Sequence, residues 1–214
     1  MPQILKIDVD HSADDIISCA AAIVSRGGVI AYPTETIYGL GTDATNERAV
    51  SRIFDIKGRN FNNPISVIIG SRGDVYPLVA IVPNAAQKLM DAFWPGPLTI
   101  VFEASPSVSP LLTAGSGKIG IRLSGHDGAR RIAQMTGKPL TATSANLSGK
   151  PECADAGEVI RQLGDQIDAV IDLGKTGRQM ATTIVDATEV PPAILRSGAI
   201  TSEDILQKTG IIVR

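Results

Sequence analysis

The sequence has little of the chemistry expected of a metalloprotein or a disulfide-stabilised protein. Its 214 residues include two cysteines, Cys19 and Cys153, and two histidines, His11 and His126. The cysteines are far apart and belong to no CxxC pair, which argues against both a disulfide framework and a zinc site. Two isolated histidines also argue against a His-based metal cluster. We therefore predict no metal site made by the protein alone, and we expect any Mg²⁺ to arrive bound to phosphate.

The chain also lacks long apolar runs and an excess of either charge. No stretch approaches the ~20 apolar residues that cross a bilayer, and the residues after Met1 and Pro2 do not resemble a signal peptide. We therefore expect a cytoplasmic protein with no membrane association. The formal net charge of -2 excludes a surface that is basic throughout, so contact with RNA would require a local basic patch.

Hydrophobic residues make up 43% of the chain, which is enough for a substantial core. Short β-rich runs alternate with amphipathic helical stretches, and this alternation predicts an α/β fold. Because the strands are not spaced like a regular βαβ series, we expect a mixed sheet in a single compact domain covering residues 1–214. The predicted strands are 29–32, 65–69, 98–102, 119–123, 140–143, 169–173, 183–186 and 193–195.

Local signals indicate where several helices begin and end. Ser12 and Asp15 form a capping box that begins a helix reaching about Ser25. Thr45 is the predicted cap of a second helix, which reaches about Ile56. The remaining predicted helices are 83–92, 128–135 and 156–163, and Thr201 begins a final unit of cap, helix and strand.

Two glycine-rich stretches resemble dinucleotide-binding loops but lack their context. Residues 115–120 match GxGxxG, yet a loop rich in serine and proline precedes them and a β-like run follows. The dinucleotide motif instead joins a strand to a helix. Residues 39–44 do precede a helix, but residues 33–38 separate them from the strand. Neither stretch is interpreted as a nucleotide-binding loop.

The run PTETIYGLG at residues 33–41 directly follows a predicted strand. Sheets in α/β proteins bind ligands at the carboxyl ends of their strands. Thr34, Thr36 and Tyr38 would supply hydroxyls there, and the glycines would let the backbone approach a ligand. The alternative is an ordinary polar turn.

Lys57, Gly58 and Arg59 follow the second predicted helix. In an extended segment the ammonium and guanidinium groups would share one face and bind one anion. The alternative is a helix C-terminus whose cations complement the helix dipole. Taken alone, the segment favours this alternative.

Polar groups also lie at the ends of other predicted strands. Residues 143–149 supply small hydroxyls and an amide, which bind phosphates and carboxylates without adding charge. Arg122 and Arg196 each end an apolar run, where a buried guanidinium needs an anionic partner; exposure to solvent is the alternative. Thr182 and Thr183 begin another strand. Together these groups suit ATP and carboxylate binding, and they suit covalent catalysis poorly.

The motifs, taken in order, resemble those of the YrdC-like family. They are PTETIYGLG, KGR followed by Asn63-Pro64, WPGPLT, IGIR, TSANLSG, TTIVD and ILRSGAIT, between about residues 16 and 201. The resemblance implies a twisted mixed sheet flanked by helices, in one domain with a positively charged concave cleft. It also implies that the additional C-terminal domain of longer relatives is missing. Ile68 stands where many longer relatives have a histidine.

The resemblance implies a nucleotidyltransferase that converts ATP, L-threonine and bicarbonate into threonylcarbamoyl-AMP and pyrophosphate. Partner proteins would then modify a tRNA adenosine beside the anticodon. Lys57 and Arg59 would be catalytic, assisted by Mg²⁺ bound through the phosphates. The implied nucleotide-binding residues are Arg59, Asn63, Lys118, Ser144, Asn146 and Arg196. The implied threonine-binding residues are Thr34, Thr36, Tyr38, Arg122, Thr143 and Thr182.

Two other functions are compatible with the sequence. A YrdC-like module without adenylate synthesis would hold tRNA or double-stranded RNA, with an affinity that falls steeply with salt. Carbamoyl transfer for hydrogenase maturation occurs in related domains of much larger proteins. We expect this chain to be too short for the accompanying domains.

Overall fold

Strands and helices alternate along the residues that the computed structural model describes, which are 1–6, 12–176 and 180–214. The strands are β1 Gln3–Lys6, β2 Ile30–Pro33, β3 Tyr38–Gly41, β4 Ser66–Ile68, β5 Leu98–Glu103, β6 Lys118–Arg122, β7 Leu140–Ser144, β8 Ala169–Asp172, β9 Thr183–Asp186 and β10 Ala193–Arg196. The helices are α1 Ala13–Ser25, α2 Glu47–Lys57, α3 Asn84–Phe93, α4 Pro110–Thr113, α5 Asp127–Thr136, α6 Ala156–Leu163 and α7 Ser202–Thr209. Short 3-10 turns cover Arg72–Leu78 and Gly164–Gln166.

The described strands form one mixed sheet in the order β1-β8-β2-β3-β7-β4-β6-β5-β9-β10. The pairs β1/β8, β2/β8, β4/β6 and β5/β9 are parallel, and the other neighbours are antiparallel. The predicted mixed sheet is therefore confirmed. The mixture arises because residues 34–37 reverse the chain directly between β2 and β3, whereas parallel neighbours need longer crossovers.

Helices cover both faces of the sheet. Along β2, Ile30 and Tyr32 belong to a core that includes residues of α1 and α5. Ala31, between them, belongs to a second core with residues of α2, α3 and α6, as the alternation of side chains along a strand requires. None of the helices within the described ranges combines the length and apolarity needed to cross a membrane.

Most predicted elements are found within one residue of their expected ends, and the capping box of Ser12 and Asp15 is present. Thr45 is not the cap of α2, however. The Asn46 side chain accepts the Ala49 N–H at 3.2 Å, whereas Thr45 is bonded to Asp43. Both residue types make good caps, so the sequence pattern could not separate them.

Two further predictions about strands are wrong. Residues 38–41, interpreted as part of a ligand-binding loop, form β3. The expected strand after α7 is not found, although all residues from 210 to 214 are described. Instead Arg214 N donates to the Pro192 carbonyl and Ile194 N donates to the Arg214 carbonyl, which places the tail against β10.

Candidate functional site

A cavity of about 170 Å³ opens on the face of the sheet that carries α1 and α5. Tyr32 and Ile68 belong both to the core beneath those helices and to the cavity wall. Three arginines from distant parts of the chain line the cavity: Arg59, Arg122 and Arg196. The other polar lining residues include Thr34, Thr36, Tyr38, Ser66, Thr99, Thr143, Ser144, Thr182 and one carboxylate, Glu152.

One wall of the cavity is the short link between β2 and β3. Thr34 Oγ1 donates to the Ile37 carbonyl at 2.7 Å and lies 3.0 Å from Thr36 Oγ1. The Tyr38 hydroxyl donates to the Gly174 carbonyl at 2.9 Å. Both threonines are buried, so their hydroxyls are fixed by the protein before any ligand binds.

Gly39 and Gly41 are required by a neighbouring tyrosine. Tyr32 pairs with Gly39 across the two strands, and its ring lies over β3. A Cβ atom at Gly39 would lie 2.9 Å from Tyr32 Cζ, and one at Gly41 would lie 2.5 Å from Tyr32 Cε1. Both glycines make room for the ring, a role that the sequence did not reveal, and Gly39 also lines the cavity.

Residues 57–59 are not extended, so that interpretation is wrong. Lys57 is the last residue of α2, and Gly58 is its left-handed cap with φ 57°, a conformation that glycine adopts without strain. The turn directs the next side chain to β7: Arg59 Nη1 donates to Thr143 Oγ1 at 3.2 Å and Nη2 donates to the Pro64 carbonyl at 2.9 Å. Arg59 Nε is buried with no hydrogen-bond partner in the described structure.

Lys57 does not line the cavity; it lies beneath the loop that follows β7. Its Nζ donates to the Ser144 carbonyl at 2.5 Å, to the Asn146 carbonyl at 2.8 Å and to Asn146 Oδ1 at 3.0 Å. Ser144 Oγ also donates to Asn146 Oδ1 at 2.6 Å. All three ammonium protons are thus used by the loop. Burial, and secondarily the Arg59 charge, lower the pKa of Lys57 to about 8.

Arg122, at the end of β6, is buried against Glu35. Arg122 Nη2 lies 2.5 Å from Glu35 Oε2, in an ion pair that lacks hydrogen-bond alignment, and Arg122 Nε also has no partner in the described residues. Glu35 further accepts from Ser124 Oγ at 2.5 Å and from Gly125 N at 2.7 Å. Burial alone would raise the pKa of Glu35, but Arg122 and these two donors outweigh burial and lower it. Sequence reasoning missed Glu35, although it lies between two predicted site residues.

Arg196, at the end of β10, is held by the start of β9. Its Nε donates to the Thr182 carbonyl at 3.0 Å and its Nη2 donates to Thr182 Oγ1 at 2.5 Å. Gly198 allows this approach, since a Cβ atom there would lie 2.1 Å from the Ala181 carbonyl oxygen. Tertiary packing of residues 196–200 against 181–183 therefore joins two motifs that the sequence shows as separate.

Three other predicted nucleotide-binding residues do not line the cavity. Lys118 pairs with Asp186 at 2.9 Å and with Glu189 at 3.4 Å. Lys118 is the first residue of β6 and Arg122 is the last. The two residues are therefore about 13 Å apart along the strand. Asn63 is exposed beyond the cavity edge. Asn146 is buried behind Ser144 and bonded to Lys57. Glu152, which sequence reasoning did not select, lines the cavity.

The described residues contain no group of three or more His, Cys, Asp or Glu side chains placed to hold a metal ion. His11 lies outside the described residues. The donor set of the cavity, mainly hydroxyls and guanidinium groups, is suited to anions and not to a bare cation.

Comparison with known proteins identifies similar chains. The Sua5/YciO/YrdC family model, described as telomere recombination, matches residues 22–198. A threonylcarbamoyl-AMP synthase of Pyrococcus abyssi is 38% identical over 92% of this chain and 58% of its own length. One from Bacillus subtilis is 39% identical over 90% of this chain and 56% of its own length.

The fold is also similar to a solved structure. The crystal structure of P. abyssi Sua5 complexed with L-threonine superposes with a TM-score of 0.92 and 35% identity, over 100% of this chain and 62% of that chain. The present chain thus spans somewhat more than half the length of these relatives.

Proposed function

The chain belongs to the Sua5/YciO/YrdC family, and on that premise we propose that it is an L-threonylcarbamoyladenylate synthase. It would convert ATP, L-threonine and bicarbonate into threonylcarbamoyl-AMP, pyrophosphate and water. The observation that supports this proposal most strongly is the convergence of Arg59, Arg122 and Arg196 on one cavity. Several cations among oriented hydroxyls give the cavity a positive character suited to phosphate and carboxylate groups.

We assign the carboxylate of threonine to Arg122. Its guanidinium is buried and has donors without hydrogen-bond partners in the described structure, and guanidinium groups bind carboxylates through paired hydrogen bonds. Thr34, Thr36, Tyr38, Thr143 and Thr182 would surround the rest of the amino acid.

We assign the phosphates of ATP to Arg59, Ser144 and Arg196, which line the same cavity. Arg59 keeps an Nε with no hydrogen-bond partner among the described residues. Both guanidinium groups contact protein carbonyl and hydroxyl oxygens, so they retain their charge for a polyanion. Asn63 would contact the nucleotide from the cavity edge, whereas Lys118 is a weak candidate because two carboxylates already bind it.

The proposed chemistry needs no protein nucleophile. The threonine amine and bicarbonate would form a carbamate with loss of water; a carbamate oxygen would then attack the α-phosphorus, and pyrophosphate would leave. Arg59 would stabilise the charge that accumulates on the phosphorus centre, and the cavity would align the two reactants. Lys57 would act from beneath the loop, by fixing Ser144 and adding positive charge behind it.

The remaining partners follow from this reaction. Mg²⁺ would enter as part of the Mg·ATP substrate, since phosphate oxygens are its preferred ligands. Transfer proteins would pass the threonylcarbamoyl group to tRNA, and any direct contact with RNA would need a local basic patch. A cytoplasmic location would supply both ATP and tRNA.

The decisive experiment is mass spectrometry of a reaction that contains Mg·ATP, L-threonine and bicarbonate, with pyrophosphate measured in parallel. We expect threonylcarbamoyl-AMP, and pyrophosphate release that requires both threonine and bicarbonate. Pyrophosphate release without threonine would contradict the proposal. Salt-sensitive RNA binding with no adenylate product would favour the RNA-binding module instead.

A further inference from the structure

Glu35 lies beside the cavity without lining it. Its neighbours Thr34 and Thr36 both line the cavity, whereas the Glu35 carboxylate is directed towards the end of β6. There it contacts Arg122, Ser124 and Gly125. One carboxylate therefore connects the link between β2 and β3 to the strand end that carries Arg122.

The turn that holds Glu35 is itself fixed. The Ser124 carbonyl accepts from Arg130 Nη1 at 2.7 Å, and Ser124 Oγ accepts from His126 N at 3.2 Å. Both oxygens of Glu35 are thus directed by a rigid segment of backbone and side chain. Arg122 meets the carboxylate through Nη2, and its buried Nε remains without a partner in the described residues.

A buried guanidinium is stable only near a negative charge. Glu35 supplies that charge when the cavity holds no ligand, and it limits the directions in which Arg122 can point. We infer that Glu35 is a positioning residue, which holds Arg122 ready for the carboxylate of the amino-acid substrate and so sets the affinity for that substrate without touching it. The inference rests on the proposed function.

The test is calorimetric titration of Glu35→Gln with L-threonine and, separately, with Mg·ATP. We expect the Kd for threonine to rise roughly 30-fold, as for loss of one partner of a buried charge pair. The Kd for ATP should stay within about twofold because the ATP-binding arginines share no contact with Glu35. Steady-state kinetics should show the same division: a higher KM for threonine and a kcat near that of the unmodified protein at saturating threonine.

Two variants separate positioning from folding. Glu103→Gln removes an exposed carboxylate on β5, outside the cavity lining, and should leave both Kd values unchanged. Glu35→Asp keeps the charge and should recover part of the threonine affinity, with a melting temperature similar to that of Glu35→Gln.

A double-mutant cycle tests whether Glu35 acts through Arg122. In an Arg122→Lys background, Glu35→Gln should weaken threonine binding much less than roughly 30-fold, because the two residues are coupled. Three outcomes would each overturn the inference. They are a Glu35→Gln loss of threonine affinity that is just as large in the Arg122→Lys background, an unchanged threonine affinity in Glu35→Gln, and an equal loss of ATP and threonine affinity. Failure of the unmodified protein to bind threonine at all would instead overturn the proposed substrate, and this inference with it.

Discussion

The three arginines of the cavity are held in two different ways. Arg122 is paired with a carboxylate, Glu35, at 2.5 Å. Arg59 and Arg196 are held by carbonyl and hydroxyl oxygens, and neither forms an ion pair within the described residues. The protein therefore pairs one guanidinium with a carboxylate at contact distance and holds the other two by neutral oxygens.

This difference matches the charges of the proposed ligands. An amino acid brings one carboxylate and also an ammonium group, so a guanidinium paired with a carboxylate suffices to orient it. A polyphosphate brings several negative charges, and cations held only by dipoles attract it more strongly. Under the proposed function, the same residue type would serve two ligands through different nearest neighbours. The predictions below test that contrast.

The largest effect is expected for Arg59 and Arg196, the two arginines assigned to the nucleotide. Arg59→Ala and Arg196→Ala should each lower kcat by about 100-fold or more, because each removes a positioned charge from the proposed transition state. Pyrophosphate release measures the change. Arg131→Ala, which removes a partly exposed arginine paired with Asp14 outside the cavity lining, is the matched control and should keep full activity. An unaltered kcat in both Arg59→Ala and Arg196→Ala would contradict the assignment of these two arginines to the nucleotide.

A smaller effect is expected from the titration of Lys57. Its pKa is lowered to about 8 by burial and then by Arg59. Above that pH the neutral amine can donate two hydrogen bonds at most, so one of its three acceptors in the loop of Ser144 and Asn146 is lost. ATP affinity, measured by calorimetry from pH 7 to 9.5, should fall with a midpoint near pH 8.

The titration of Lys57 changes the stability of the fold in the opposite direction to ATP affinity. Because the folded pKa lies below the unfolded value of 10.5, the unfolded chain binds more protons between about pH 8 and 10.5. The free energy of unfolding should therefore gain a rising contribution from Lys57 across that window. Lys57→Met, which has no amine, should show neither the ATP midpoint nor this contribution. If the ATP-affinity midpoint near pH 8 persists in Lys57→Met, another group is responsible for that titration.

The smallest effect is expected for Thr143→Val. This change keeps the shape of the side chain and removes the hydroxyl that accepts from Arg59 Nη1 at 3.2 Å. ATP affinity should fall about threefold, as for one hydrogen bond to a charged group that can be replaced by water. Threonine affinity, measured on the same variant, reports whether Thr143 also contacts the amino acid. A larger loss of threonine affinity than of ATP affinity would assign Thr143 to the threonine site.

Periodicity and caps predicted most of the fold. The apolar runs that became β2, β5 and β7 are short and bounded by turn residues, so local sequence determined where they begin and end. β3 was missed because its sequence, YGLG, has two glycines, which normally weaken a strand. Its glycines are explained only by the Tyr32 ring on the neighbouring strand.

The candidate site was predicted in its residue types and less well in its contacts. Arg59, Arg122 and Arg196 do share a cavity. Lys118 was grouped with them through the family resemblance, but it lies at the opposite end of β6 from Arg122. Glu35 was overlooked because a single carboxylate in a polar turn carries no signal of its partner.

The sequence by itself determined most of the strands and helices, with β3 an exception, and which of the hydroxyls and cations lie at strand ends, because these depend mainly on neighbours along the chain. Only the tertiary structure decided which cations meet a carboxylate and which remain free for a ligand. The pairing of β9 with β10 brings Thr182 beside Arg196. Glu35 reaches Arg122 although β7 and β4 lie between β3 and β6 in the sheet, so that contact depends on how the β2–β3 link folds towards the end of β6. Burial then strengthens the contact between Arg122 and Glu35, because water screens it less.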